Sequence, residues 1–151
     1  ALDQVSGYDS VRNKVLDDVE LARSLVKNGS YGCVANGAAI ASTRMYSSWT
    51  EIQAGYGKSL HAAFGSVLGS AIAITFVFLT GIAPLIAGIT GSSIGWYAFA
   101  AVTLTRAMSA IKVGKTGLDA FLHPISSAVL IYLIIYSWMM RGQVQWKGRT
   151  L

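Results

Sequence analysis

Charge is what this sequence has least of, and its scarcity is concentrated in one place. Lys, Arg, Asp and Glu are frequent between Leu2 and Lys58, and then none occurs between Ser59 and Thr105. A soluble fold needs a polar surface, and an uncharged run of this length cannot be hidden inside a domain of 151 residues. A lipid bilayer is the simpler solvent for it. Cysteine is limited to Cys33, so no internal disulfide can form and a reducing compartment fits. With His61 and His123 far apart in the chain, this lone thiol makes no zinc-binding pattern. There is no Ser-His-Asp arrangement and no Asp-x-Asp metal motif. An initiator Met is also missing, as is a charged segment leading into a short apolar core, so no signal peptide is read. The chain reads as part of a longer one. The net charge of +5 does not imply a nucleic-acid partner, because the basic residues are scattered over the N-terminal part, one loop and the tail instead of forming a single face.

What is present falls into a coarse order. Residues 11–28 carry Val15, Val19, Ala22, Leu25 and Val26 at helical spacing, with Asp17, Asp18 and Glu20 early and Gly29 as a stop. Residues 31–35 are short enough for a strand. Residues 43–60 return to a helical pattern. Met45, Trp49, Ile52, Tyr56 and Leu60 form an apolar, aromatic stripe beside the polar Arg44, Ser48, Glu51 and Lys58. Such a stripe suits a helix lying in a membrane interface, although an ordinary surface helix shows the same pattern.

Three apolar segments follow. Residues 64–89 are long enough to cross a bilayer, with Gly81 and Pro84 as a kink or break; residues 94–110 are shorter and carry Arg106; residues 121–140 are the cleanest span, with Pro124 in the first turn. The fold class is therefore mostly α. Residues 1–42 are read as a soluble remnant, 43–61 as an interfacial amphipathic helix, 62–140 as a membrane region with two or three transmembrane helices, and 141–151 as a basic tail.

Three places could carry chemistry. The Asp17-Asp18 pair could supply a general base to a hydroxyl nucleophile, or could simply be acid favoured by a helix N-terminus. Arg44 could bind a diphosphate bidentately with Trp49 stacking on a sugar, or both could anchor an interfacial helix. Trp146 and Arg149 in the Trp-Lys-Gly-Arg tail could face a site or act as headgroup anchors. Gly65, Gly69 and Gly81 lie in apolar sequence and suit helix packing.

Taken in order, these pieces resemble a family. Gly7-Tyr8-Asp9 followed by Val15-Leu16-Asp17-Asp18-Val19-Glu20-Leu21-Ala22 looks like the acceptor-side acidic motif of family 2 inverting glycosyltransferases. Arg44-Met45-Tyr46 through Trp49, Glu51, Gly55 and Lys58 is similar to the interfacial-helix motif of their lipid-modifying members, which include hopanoid-associated, carotenoid and ceramide glycosyltransferases. His123-Pro124 and Trp146-Lys147-Gly148-Arg149 also look like that subgroup. The resemblance implies the tail end of an α/β glycosyltransferase catalytic domain followed by membrane helices. It implies transfer of a sugar from a nucleotide-sugar donor to a lipid acceptor with inversion. Arg12, Lys14, Arg23, Lys27, Arg44 and Lys58 before the spans and Arg141, Lys147 and Arg149 after them place both ends, and with them the catalytic side, in the cytoplasm, which requires one apolar segment, 94–110, to be re-entrant or interfacial. Asp18 maps to the catalytic base, Asp17 to the acid before it, and Arg44 and Trp49 to the Gln-x-x-Arg-Trp region. The sequence departs from that motif, since Ser48 precedes Trp49 and Met45 stands at the Gln position. A divalent cation, Mg or Mn, would be held by residues outside this sequence. A non-enzymatic membrane subunit or transporter fragment is the alternative, with Arg106 as its functional clue.

Overall fold

The structure, a computed structural model, describes residues 7–11, 17–33, 35, 37, 39–141, 145–146 and 149–150. The described chain is mostly helical. A 3-10 turn at Gly7–Val11 is followed by α1 (Asp17–Lys27), α2 (Trp49–Phe64), α3 (Val67–Gly81), α4 (Ala83–Ile89), α5 (Ser93–Lys112), a second 3-10 turn (Leu118–Leu122) and α6 (His123–Met139). Two short strands, β1 (Gln145–Trp146) and β2 (Arg149–Thr150), pair antiparallel at the end.

The N-terminal part forms a small unit in which α1 packs on the first 3-10 turn through Val11, Leu21 and Leu25. The buried face is rotated from the predicted stripe: Val19 and Val26 are exposed, while Leu25 of that stripe packs beside Leu21, which was not in it. Val15 lies outside the described residues. Asn28 and Gly29 end α1 as expected, with Gly29 in the left-handed conformation and the Asn28 side-chain amide donating to the Ser24 carbonyl. The strand expected over residues 31–35 does not form at the described positions there. Among the described residues no neighbouring strand accompanies this exposed stretch, and an extended segment alone leaves its ladder groups without partners.

The helix expected from residue 43 begins later, at Trp49. Ser48 is its N-cap, accepting a hydrogen bond from the Glu51 N–H (3.2 Å), while the Glu51 carboxylate accepts from the Ser47 N–H (2.7 Å). Residues 43–46 therefore form an irregular lead-in. At its other end α2 stops at Gly65, whose positive φ no branched residue would tolerate, and Ser66 caps α3 by accepting from the Gly69 N–H.

From Val67 the chain changes character. Val67–Ile89 and Leu118–Met139 are both long and apolar enough to cross a membrane, and most of their surface faces outward. Phe76, for example, is 65% exposed. Twenty-three helical residues reach about 34 Å, the thickness of a bilayer's hydrocarbon core. The expected break appears at Ile82, between Gly81 and Pro84, with Pro84 in the first turn of α4.

The two long elements run antiparallel. At one end the Trp138 indole N–H donates to the Ser70 hydroxyl (2.7 Å); at the other, Gly81 sits against the Ser127 side chain. The core lies between α2, α3 and α6, where Leu60, Leu133 and Ile134 are buried and Ile52, Phe64, Ile74 and Trp138 close around them.

The third apolar segment forms a longer helix than expected, 20 residues, and is less apolar than the other two. α5 folds back on α4 through Gly88, Gly95 and Trp96, passes the His123 ring at Phe99 (4.8 Å between ring centres), and reaches Gly117 with Ala107. Both halves of α5 thus stay near the N-terminal end of α6.

Candidate functional site

Asp17 and Asp18 open α1, and both are exposed. The Asp17 carboxylate accepts from the Asp18 N–H (3.0 Å) and the Asp18 carboxylate from the Val19 N–H (2.8 Å). These contacts use the otherwise unpaired donors of a helix start, so the local structure accounts for both acids without any ligand. Each carboxylate still has a free oxygen facing solvent. α1 packs on the first 3-10 turn, and the structure does not bring Asp18 against Arg44 or Trp49.

Arg44 is exposed in the lead-in to α2. Trp49 is the first residue of α2 and is 46% exposed; its inner side stacks on Tyr132 of α6 at 5.9 Å and an interplanar angle of 28°. Tyr132 stacks in turn on Tyr136 at 5.9 Å, and the Gln53 amide donates to the Tyr132 hydroxyl (2.8 Å). Tyr46 turns back onto Tyr56 and Gly55. Sequence reading found Trp49 but missed Tyr132 and Tyr136; their i, i+4 spacing on an otherwise aliphatic span was the available signal.

The seam between α2 and α6 has a second polar contact, at Ser137. The Ser137 hydroxyl accepts from the His61 N–H (2.9 Å) and donates to the Gly57 carbonyl (2.7 Å), so it is inserted into the helical ladder of α2. The His61 ring lies edge-on to Trp138, and the Arg141 guanidinium stands 5.3 Å from the Trp138 ring centre. Burial, and secondarily the Arg141 charge, hold the His61 imidazole below its ordinary pKa.

Trp146 and Arg149 are register partners in the β1–β2 ladder. The directions of their side chains, and Lys147 and Gly148 between them, lie outside the described residues.

At the opposite end of α6 a cleft of about 370 Å³ lies between α5 and the second 3-10 turn, lined by Thr105, Arg106, Ser109, Asp119 and Ser126. His123 lies buried nearby, with its ring nitrogens close to the Gly81 and Phe99 carbonyls but in good hydrogen-bond geometry with neither. Sequence reading singled out Arg106 but not Asp119, which stands in the second 3-10 turn among apolar neighbours. Among the described residues no three His, Cys, Asp or Glu side chains are grouped as metal ligands. The divalent cation implied by the resemblance therefore finds no ligand set in them.

Compared with family models, curated proteins and solved structures, the chain matches none.

Proposed function

We propose that this chain belongs to a membrane glycosyltransferase of the family 2 inverting type, acting on a lipid acceptor. The observation that carries the reading is the seating of α2. An aromatic-faced helix packs along the C-terminal half of α6, at the end of the two spanning elements to which the acid-bearing α1 is joined. Trp49, half exposed above Tyr132 and Tyr136, offers a flat aromatic edge where a lipid-borne hydroxyl would emerge from the bilayer. Asp18 would take the proton of that hydroxyl as its oxygen attacks the anomeric carbon and the nucleoside diphosphate leaves from the opposite face. Arg44 would meet diphosphate oxygens. A donor-binding α/β domain, carrying the cation, would be contributed by residues outside this sequence, and the catalytic side would be cytoplasmic.

The test is Asp18→Asn against Asp17→Asn in the intact protein, with labelled nucleotide sugar saturating and membrane lipid as acceptor. Asparagine keeps the size and one acceptor but cannot take a proton near neutral pH. Loss of a general base costs roughly 100- to 10,000-fold in rate. Loss of a helix-end charge costs about 0.3–1 kcal/mol of stability and leaves turnover nearly unchanged. A large, selective loss at Asp18 supports the enzyme; equal and mild effects at both positions remove Asp18 as the base. A non-enzymatic membrane subunit is the second reading. It is favoured by the way Asp17 and Asp18 are consumed in capping α1 and by the charged cleft at Arg106.

A further inference from the structure

The cleft at the far end of α6 has a composition that its surroundings do not share. Five of its lining side chains, Thr105, Arg106, Ser109, Asp119 and Ser126, are polar, and two of them are opposite charges. Those two charges do not neutralise each other, since Arg106 and Asp119 are not within ion-pair distance. Around the cleft the surface is apolar and exposed, with Leu104, Met108 and Ile111 on α5 and Leu118, Phe121 and Ile125 at the start of the second span. Asp119 and Ser126 belong to the opening turns of that span, so the cleft lies at the depth where headgroups meet hydrocarbon.

We propose that this cleft binds the headgroup of a membrane phospholipid that carries a primary ammonium. The Arg106 guanidinium takes the phosphate through its forked N–H donors, and the Ser109 hydroxyl supplies a further one; the Thr105 and Ser126 hydroxyls donate to the Ala101, Val102 and Leu122 carbonyls and line the cleft wall. The ammonium hydrogen-bonds to the Asp119 carboxylate, while the acyl chains lie on the exposed apolar side chains that flank the opening. A site with only a cation would accept any phospholipid. The unpaired carboxylate selects against anionic headgroups, which it repels, and against a quaternary ammonium, which has no N–H to give. The volume matches a small-molecule site. The cleft is at the end of α6 opposite the α2 seam, so this lipid sits in the other leaflet from Trp49 and Tyr132, and the assignment stands whether or not the chain transfers a sugar.

The test titrates the purified, detergent-solubilised chain with phosphatidylethanolamine, phosphatidylcholine and phosphatidylglycerol of identical acyl chains, and with water-soluble glycerophosphoethanolamine, reading bound lipid by native mass spectrometry. The expected result is roughly tenfold tighter binding of phosphatidylethanolamine than of the other two lipids, the scale of one charge-assisted hydrogen bond. Arg106→Gln is expected to weaken phosphatidylethanolamine about tenfold. Asp119→Asn is expected to reduce it to the level of phosphatidylcholine while leaving phosphatidylcholine unchanged. Equal binding of all three lipids to the native chain, or a preference that survives Asp119→Asn, overturns the proposal. So does glycerophosphoethanolamine binding as tightly as the lipid, since the occupant would then be a soluble zwitterion. Should Arg106→Gln lose its helical signal, Asp119→Asn decides alone.

Discussion

At the scale of single residues, the contact with most at stake is Ser137. Its side chain is fully buried, and its hydroxyl stands between the His61 N–H and the Gly57 carbonyl, two groups that would otherwise bond each other within α2. The insertion ties α2 to α6 through a buried hydrogen-bonded bridge. Gly57 makes it possible, because a Cβ there would press on the Tyr136 ring at 3.1 Å. The His61 imidazole follows from the same packing. It is held below its ordinary pKa of about 6.5 first by burial and then by Arg141. The folded chain therefore takes up this proton less readily than the unfolded one. The associated stability is present above pH of about 6.5 and is lost as pH falls from there through the lowered folded value. The thermal midpoint of the detergent-solubilised chain should drop over that interval, and His61→Gln should flatten the drop. A pH slope that His61→Gln leaves unchanged would place its origin in the carboxylates instead.

At the scale of elements, the breaks say more than the helices do. The pattern of Ser48 followed by Glu51, and of Gly65 followed by Ser66, was readable as cap chemistry before any coordinates. It was outweighed in the sequence by an apolar stripe running on from Met45 and by an unbroken hydrophobic run through Phe64. Periodicity reports which face is apolar but not where the backbone turns, so both ends of α2 were placed several residues early. Gly81 and Pro84 were legible because both signals pointed to one place. The aromatic seam and the Arg106–Asp119 cleft were not legible, since each joins residues separated by many positions and no local pattern encodes that meeting. The α4–α5 hairpin is the same kind of fact. Gly95 lies so near Gly88 and Ala87 that a Cβ would collide with main chain, with the Ala87 carbonyl carbon at 2.7 Å. Main chain cannot swing aside as a side chain can. Gly95→Ala is expected to cost about 1–3 kcal/mol, toward the upper end, measured as a fall in unfolding midpoint in detergent. Gly29→Ala is the comparison, since Gly29 has open space and only its positive φ to lose; it should cost about 1 kcal/mol. If the two variants matched, α4 and α5 would not be in contact there.

At the scale of the whole molecule, orientation follows from which ends meet. Ser70, at the start of the first spanning element, bonds to Trp138 at the end of the second, and α2 packs beside both. Val67–Ile89 and Leu118–Met139 therefore run in opposite senses, and α5 stays in the neighbourhood of α4 and the second 3-10 turn. In a membrane crossed by both, α2 and the tail from Arg141 lie on one side, while Gly91 and residues 113–117 lie on the other. Parity read from the sequence alone pointed the same way through charge. Arg44 and Lys58 precede the first span and Arg141, Lys147 and Arg149 follow the second, five basic residues against Arg106, Lys112 and Lys115 on the opposite side. The basic excess near the ends of the spans favours the cytoplasm for α2 and the tail. A C-terminal epitope tag should accordingly resist protease added to intact cells and be cut once the membrane is opened. A cysteine introduced at Ser92, in the α4–α5 turn, should be labelled from outside by a membrane-impermeant maleimide, with Cys33→Ser as the background. Cleavage of the tag in intact cells together with no labelling at position 92 would mean the molecule is inverted. Cleavage and labelling together would mean that α5 crosses after all, giving three spans and separating Ser70 from Trp138.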